Sequence, residues 1–481
     1  MRLPPEVLPL AADAELQRGA DGAHRVTYRI PIPYFRLLWA PLVRRRARRI
    51  EVAADAGQEL PHGSPWWAPP VPQSPEETSA VAAIALIAMA TGYAGGAGGL
   101  LTQTLPYAAK AFDASDAALG VGLAVVRVGV VLALLVGPLA DRLGRRRFVA
   151  AAATAHCVAA AAIGLAPTFD VYIGAHVLLR CLDAGLSVSL FVLAMEVVPA
   201  RNRTTIVSLL ALATGAAGAA AVVAIPVAAT GRGGLAAAYG LQLLALPLVL
   251  SAVRRLPESQ RFVAHARERH GLRELAGARG VRGRVALLGG AVFLSSLFFA
   301  PLTEFYNRYL DDVQGLSPGE IVAFLGITTA PAIPALLIGA RYADRRGRKR
   351  VGVPLGALGV AGYVGFLVSG GVAIWPLAAM ANAFASASGV ALVVYGPEML
   401  PTRVRAAGNN AILAMSVTGS AVGLVVAGAL GDSIGIGHAV ATLAAFPLIA
   451  VAIVAFRLPE TAGRELEETS GDELPPLPLV R

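Results

Sequence analysis

The apolar residues of this chain come in blocks too long and too free of charge for a water-soluble fold. From Phe148 to Ala166 there is one histidine and no formally charged side chain. Such a run suits a helix crossing roughly 30 Å of hydrocarbon, which takes roughly 20 apolar residues. Twelve blocks can be read, the first six near 79–101, 117–138, 148–167, 171–195, 205–229 and 233–253. The second six lie near 285–309, 319–340, 351–370, 373–397, 408–430 and 436–457. Composition agrees, since 56% of the 481 residues are hydrophobic and only 15% are charged, against about 25% charged in soluble domains. The expected fold is all-α and integral to the membrane. It has a basic N-terminal extension (1–74), a six-helix half (75–253), a linker (254–284), a second six-helix half (285–457) and a tail (458–481).

The net charge of +10 does not mark a nucleic-acid binder, because the arginines cluster in the short segments between apolar blocks. The 2–3 segment carries Arg142, Arg145, Arg146 and Arg147, and the 8–9 segment Arg341, Arg345, Arg346, Arg348, Lys349 and Arg350. The 4–5 and 6–7 segments are also basic, while the alternate loops hold little beyond Lys110, Arg232 and Arg308. Positive charge stays inside, so both termini are expected in the cytoplasm and the protein in the cytoplasmic membrane. The first thirty residues have no apolar core, and the first block is expected to act as its own insertion signal. Cys157 and Cys181 fall inside apolar blocks and form neither a disulfide framework nor a metal site.

Helix starts are legible at two places. Ser74-Pro75-Glu76-Glu77 and Ser317-Pro318-Gly319-Glu320 each read as an N-cap, a proline at the first helical position and a capping glutamate. In the extension, Tyr28–Phe35 alternates weakly like a strand. The run Arg44-Arg45-Arg46-Ala47-Arg48-Arg49 reads either as a segment lying on anionic headgroups, with Trp39 at the interface, or as a disordered basic tail. Trp66-Trp67 is expected to anchor at the interface.

The strongest signal is internal repetition. Asp141-Arg142-Leu143-Gly144-Arg145-Arg146 recurs 203 residues later as Asp344-Arg345-Arg346-Gly347-Arg348-Lys349. Glu196-Val197-Val198-Pro199 with Arg203 recurs after 202 residues as Glu398-Met399-Leu400-Pro401 with Arg405. Pro257-Glu258-Ser259 recurs at the same offset as Pro459-Glu460-Thr461. Two six-helix halves related by a repeat follow.

On these residues the chain resembles the major facilitator superfamily over roughly residues 75 to 468, nearest in motifs to its sugar-porter and metabolite-symporter branches. The resemblance implies a twelve-helix transporter. It also implies that Asp141, Arg142, Arg146, Glu196, Arg203, Asp344, Arg345, Arg348, Glu398 and Arg405 latch the cytoplasmic side shut. The departures bear on substrate. Where symporters of these branches carry Gly-Tyr-Asp in the first helix, this chain has Gly92-Tyr93-Ala94. Ser295-Ser296 stands for the paired glutamines of helix seven, and Val393 for the tryptophan of helix ten. A hexose needs several polar partners in a dry site, so a hexose carrier is not expected. The fifth block is rich in small residues, with Gly215 and Gly218, but lacks the Gly-Pro-x-x-Gly-Gly ending of the drug-exporter branch.

Intramembrane charges usually line a cavity or a proton path. His176, Arg180 and Asp183 share a face of helix four by their spacing, and Asp183 is the carboxylate read nearest the middle of a span. A mutual neutralisation of Arg180 and Asp183 is the alternative. Glu304, Asn307 and Arg308 fall near the outer end of helix seven, where simple solvation is the alternative reading for Glu304 and Arg308. Tyr93 and Asn382 complete the substrate or proton candidates, Asn382 with a packing role as its alternative. No phosphate-binding loop, metal cluster or catalytic set is present, so neither an enzyme nor a cofactor is expected. The function expected is secondary transport of a small solute by a monomer, with proton coupling undecided. The alternatives are a facilitator or exporter and, from another class, a transporter-fold sensor.

Overall fold

The computed structural model describes residues 1–481 except 62, 64, 66, 70–71, 97–98, 200–201, 258–278, 394–398, 401–404 and 461–481. The repeated motif residues Asp141, Arg142, Arg203, Asp344, Arg345, Glu398 and Arg405 lie outside the described residues or side chains, as do Trp66, the body of the linker and the tail.

Eleven helical runs among the described residues are long and apolar enough to cross a membrane. The first is broken: α2 (Pro75–Gly95) is followed by α3 (Leu100–Phe112). Gly96 and Gly99 are in extended backbone at the facing ends of these two helices, in a stretch where Gly95, Gly96, Gly98 and Gly99 make helix formation costly. Next come α4 (Asp116–Leu143), α5 (Arg145–Ile163) and α6 (Phe169–Val197). Then follow α7 (Arg203–Val223), α8 (Ile225–Ala228), α9 (Arg232–Gly240) and α10 (Gln242–Val253). The second half holds α11 (Arg279–Glu304), α12 (Pro318–Thr329), α13 (Ala332–Arg346) and α14 (Arg348–Val368). It ends with α15 (Ile374–Val393), α16 (Arg405–Ile434), α17 (Ile436–Thr442) and α18 (Ala445–Arg457). Only α5 among the expected twelve spans falls short of that apolarity, since it opens on Arg145-Arg146-Arg147 and carries His156.

Local chemistry sets these boundaries. Ser74 accepts from the Glu77 amide at 3.1 Å and Glu77 returns the bond to the Ser74 amide at 3.1 Å. Ser317 and Glu320 do the same before α12. Helix N-termini are thereby satisfied before entering lipid, where bare amides are costly. The motif glycines also have a reason. Gly144 and Gly347 sit at φ 86° and 106° between consecutive spans, a region that only glycine enters readily.

The extension is folded, which removes the disordered-tail reading. Strands β1 (Ala12–Arg18) and β2 (His24–Arg29) pair antiparallel and pack against α1 (Arg36–Asp55). Trp39 meets Trp67 with ring centroids 6.4 Å apart, and both pack against the module's own core. The Tyr34 hydroxyl bonds Ser251 at 2.8 Å, and the Arg255 guanidinium lies 5.9 Å from the Tyr34 ring. The module is thus docked at the ends of α2 and α10, called here the basic end. A cavity of about 1250 Å³ lies between the Ile30–Tyr34 strap and these helices, with Glu76, Glu196 and Arg255 in its wall.

Candidate functional site

Three polar side chains in the first half reach the same depth from the opposite, distal end. Arg127 and Arg180 each lie about 16 Å along their helices from the distal starts of α4 and α6, and Thr102 about 15 Å from the distal end of α3. Glu304, at the end of α11, meets two of them. Its carboxylate accepts from Arg127 Nη2 at 2.7 Å and from Thr102 Oγ1 at 2.6 Å. Glu304 is 4% exposed, so the solvated reading for it does not hold. Nor is Asp183 the only buried carboxylate among the described residues of the spans: Glu304 is another, and unlike Asp183 it joins the two halves.

Arg180 stands just behind this pair. Its guanidinium donates to the Gly95 carbonyl at 2.7 Å and reaches Asp183 only loosely, at 3.9 Å. The Gly95 carbonyl is free to accept because α2 ends there. Gly95 also lets two groups close in: a Cβ there would run into His156 Nε2 and stand 3.0 and 3.1 Å from Cβ and Cγ of Asp183. His156 is fully buried, and neither ring nitrogen has a partner among the described residues. A buried polar group in that state costs about 1–3 kcal/mol unless something else satisfies it.

His176 does not join this cluster through its ring nitrogens. Its Nε2 is 3.0 Å from the Tyr239 hydroxyl, which is itself 3.0 Å from that of Tyr172, and the three rings form an enclosed aromatic group. Tyr93 donates to the Ala238 carbonyl at 3.0 Å. Asn382 accepts from Tyr363 at 2.7 Å and donates to the Thr328 carbonyl at 3.1 Å, within the second half. These three residues have packing partners.

Further bonds cross between halves toward the distal end. Asn307 donates to the Gln103 carbonyl and side chain at 3.0 and 2.9 Å. Arg308 pairs with Asp116, so it is not merely solvated, and Lys110 pairs with Asp311 and, at 3.3 Å, with Asp312. Asp432 accepts from the Asp116 and Ala117 amides at 2.8 and 3.2 Å, capping α4 from the other half. Beside these bonds α4 and α16 cross closely: a Cβ on Gly120 would stand 3.0 Å from the Cα of Gly428.

At the basic end the described bonds stay within one half. Arg145 pairs with Glu196. Arg146 donates to the Arg254 carbonyl at 3.4 Å. Glu460 accepts from the Arg348 and Lys349 amides at 2.8 and 3.1 Å, so the Pro-Glu-Thr motif caps the N-terminus of α14.

Arg127, Thr102, His156, Asp116 and Asp432 were not singled out from sequence. Arg127 had a signal, being a lone charge inside the second apolar block. His156 had a weaker one, as the single polar ring of the third.

Comparison with known proteins agrees with this architecture. The model of the Major Facilitator Superfamily matches residues 84–416. YwtG of Bacillus subtilis (strain 168), whose name assigns it to metabolite transport, is 24% identical over 423 residues, covering 78% of this chain and 91% of its own. Among solved structures, a D-xylose-proton symporter superposes with TM-score 0.66 at 16% identity, covering 80% of this chain and 99% of that one. A bacterial homologue of the human lysosomal transporter Spinster, inward-facing and unoccupied, gives 0.64 at 14% identity, with 79% and 96% covered. The xylose transporter XylE from E. coli, inward open, gives 0.63 at 15% identity, with 82% and 99% covered. The chain belongs to the Major Facilitator Superfamily.

Proposed function

We propose that this protein is a secondary transporter that carries a small polar metabolite, an organic acid or a similar solute, across the cytoplasmic membrane by alternating access. One observation carries the reading: Glu304 of the second half is buried between Arg127 and Thr102 of the first, inside the bundle of spans. A charged pair there is costly, and it sits where two rocking halves must separate. With the distal end bonded across the halves, the conformation corresponds to a carrier closed on the outside, the state named for the Spinster homologue and XylE. The repeated arginine and carboxylate motifs would close the other end in the alternate state, with both termini and the linker in the cytoplasm.

Glu304 and Asp183 are the proton-coupling candidates, and Arg127 and Arg180 supply positive charge toward an anionic solute. A facilitator is the second reading, favoured by Ala94, which is buried where a symporter carboxylate is expected. Counterflow in proteoliposomes against organic acids, polyols, amines and drugs tests the proposal. Labelled exchange of one class, lost in Glu304→Gln, supports it. No exchange by wild type with any class, alongside ligand-induced thermal stabilisation, supports a sensor instead. Uphill accumulation driven by a pH gradient separates symport from facilitation.

A further inference from the structure

The module made by β1, β2 and α1 carries a feature that transport does not use. One face of α1 is committed to folding: Ala40, Val43, Ala47 and Ile50 are buried in the module's core. Arg46 turns inward with them and donates to the carbonyls of Val7, Pro61 and Gly63 at 2.9–3.1 Å. Its four neighbours do the opposite. Arg44, Arg45, Arg48 and Arg49 are exposed around one concavity of about 560 Å³. Among the described residues none of the four has an ion-pair partner, although both acids of α1 lie nearby. Those acids are engaged elsewhere, Glu51 with the Val26 amide at 2.8 Å and Asp55 with His24 at 2.7 and 2.9 Å.

Leu37 and Leu38, 87% and 70% exposed, precede the arginines on α1, and Val52, 67% exposed, follows them. Four like charges packed on two turns repel one another unless an anionic surface neutralises them. Apolar residues at both ends of that cluster are what a helix presents at the boundary of headgroups and acyl chains. The module's position fits, since Ala82, about 10 Å into α2 from Pro75, belongs to the same core as Val43 and Ile50. The module therefore lies beside the first span, within about two turns of its start at the basic end.

We propose that the Arg44, Arg45, Arg48 and Arg49 face of α1 is a docking surface for the anionic phospholipid headgroups of the bilayer that holds the protein. The guanidinium groups take the phosphates, and Leu37, Leu38 and Val52 reach the acyl boundary. The proposal stands apart from the transport reading, because none of these residues belongs to the central site.

The full-length protein tests this in vesicles, with Cys157 and Cys181 replaced by alanine and Val52→Cys carrying an environment-sensitive fluorophore. Emission is compared between pure phosphatidylcholine and a phosphatidylcholine–phosphatidylglycerol mixture. A blue shift with phosphatidylglycerol is expected, abolished by high salt and by the quadruple Arg→Gln variant but kept by the quadruple Arg→Lys variant. Arg46 is left intact, and unchanged Trp39–Trp67 emission reports that the module stays folded. If the glutamine variant unfolds, the salt dependence of the wild type decides. Equal emission in both vesicles, a shift that salt leaves intact, or an equal shift from soluble glycerophosphate added to phosphatidylcholine vesicles overturns lipid docking.

Discussion

Among the described residues, the two ends of this transporter are held in different ways. At the distal end the halves are tied to one another by Arg308 with Asp116, Lys110 with Asp311, and Asp432 on the N-terminus of α4. At the basic end the described ties stay inside a half: Arg145 with Glu196 in the first, and Glu460 on the N-terminus of α14 in the second. The first kind must break if the halves rock, and the second kind can ride along with each half as a rigid body. The difference teaches which bonds belong to the conformational cycle and which to the stability of each half.

The largest effect should come from wedging the distal end. Gly428→Leu puts a branched side chain where α16 meets Asp116 and Gly120 of α4, and neither backbone can yield without parting the halves. Transport should fall to background while the protein still inserts, and impermeant maleimide should label distal-end cysteines faster. Labelling rates equal to wild type would mean that the crossing at Gly120 and Gly428 does not govern closure.

Next in size is Glu304→Ala. It leaves Arg127 buried without its counter-charge, a loss of about 3–5 kcal/mol for breaking a buried pair. Thermal unfolding in detergent should drop accordingly, and net flux should stop. Glu304→Gln keeps an acceptor for Thr102 and should unfold closer to wild type while still failing to transport. Normal flux in both variants would remove Glu304 from the mechanism.

A smaller effect sharpens the contrast from the other end. Glu460→Gln weakens a charged cap on two amides and should cost about 1 kcal/mol. It should leave the balance between inward- and outward-open forms unchanged. A shift in that balance would show that basic-end bonds within a half also take part in gating.

The smallest effect concerns the module. The backbone amide of His24, and then its ring, hold the Asp55 carboxyl below its ordinary value of 3.8. The carboxylate therefore binds protons less readily folded than unfolded, and its contribution is full above the unfolded value and lost as pH falls through the folded one. Val52→Cys labelled with a mobility probe should loosen at lower pH in wild type than in His24→Ala. Identical profiles would dismiss the pairing.

Much of this was readable in the sequence where local chemistry decides. The capping boxes at Ser74 and Ser317 and the glycines of the repeated motif act within a few residues, and their roles follow from spacing. The central site was less legible because depth in a membrane is a tertiary property. The helix after the first glycine-rich stretch runs on to Phe112, well beyond the block that ends near 101, and helical turns after the seventh span reach Val313, a few residues past its block. Lys110, Asp311 and Asp312 lower the hydropathy of those ends, yet they neutralise one another across the interface. Thr102 and Glu304 consequently lie deeper than they read. The surroundings of His176 were hidden for a related reason: helical spacing gives its face, but not the Tyr172 and Tyr239 rings packed against it.

The most direct test of the two-ended account is a pair of distances in one protein. Spin labels go on Asp113 and Val372 at the distal end, and on Arg147 and Arg350 at the basic end, in the background without Cys157 and Cys181. The account predicts a short distal distance and a long basic-end distance at rest. The two should change in opposite directions when substrate or Gly428→Leu shifts the equilibrium, and Glu460→Gln should leave both alone. Distances that stay fixed, or that lengthen and shorten together, would contradict it.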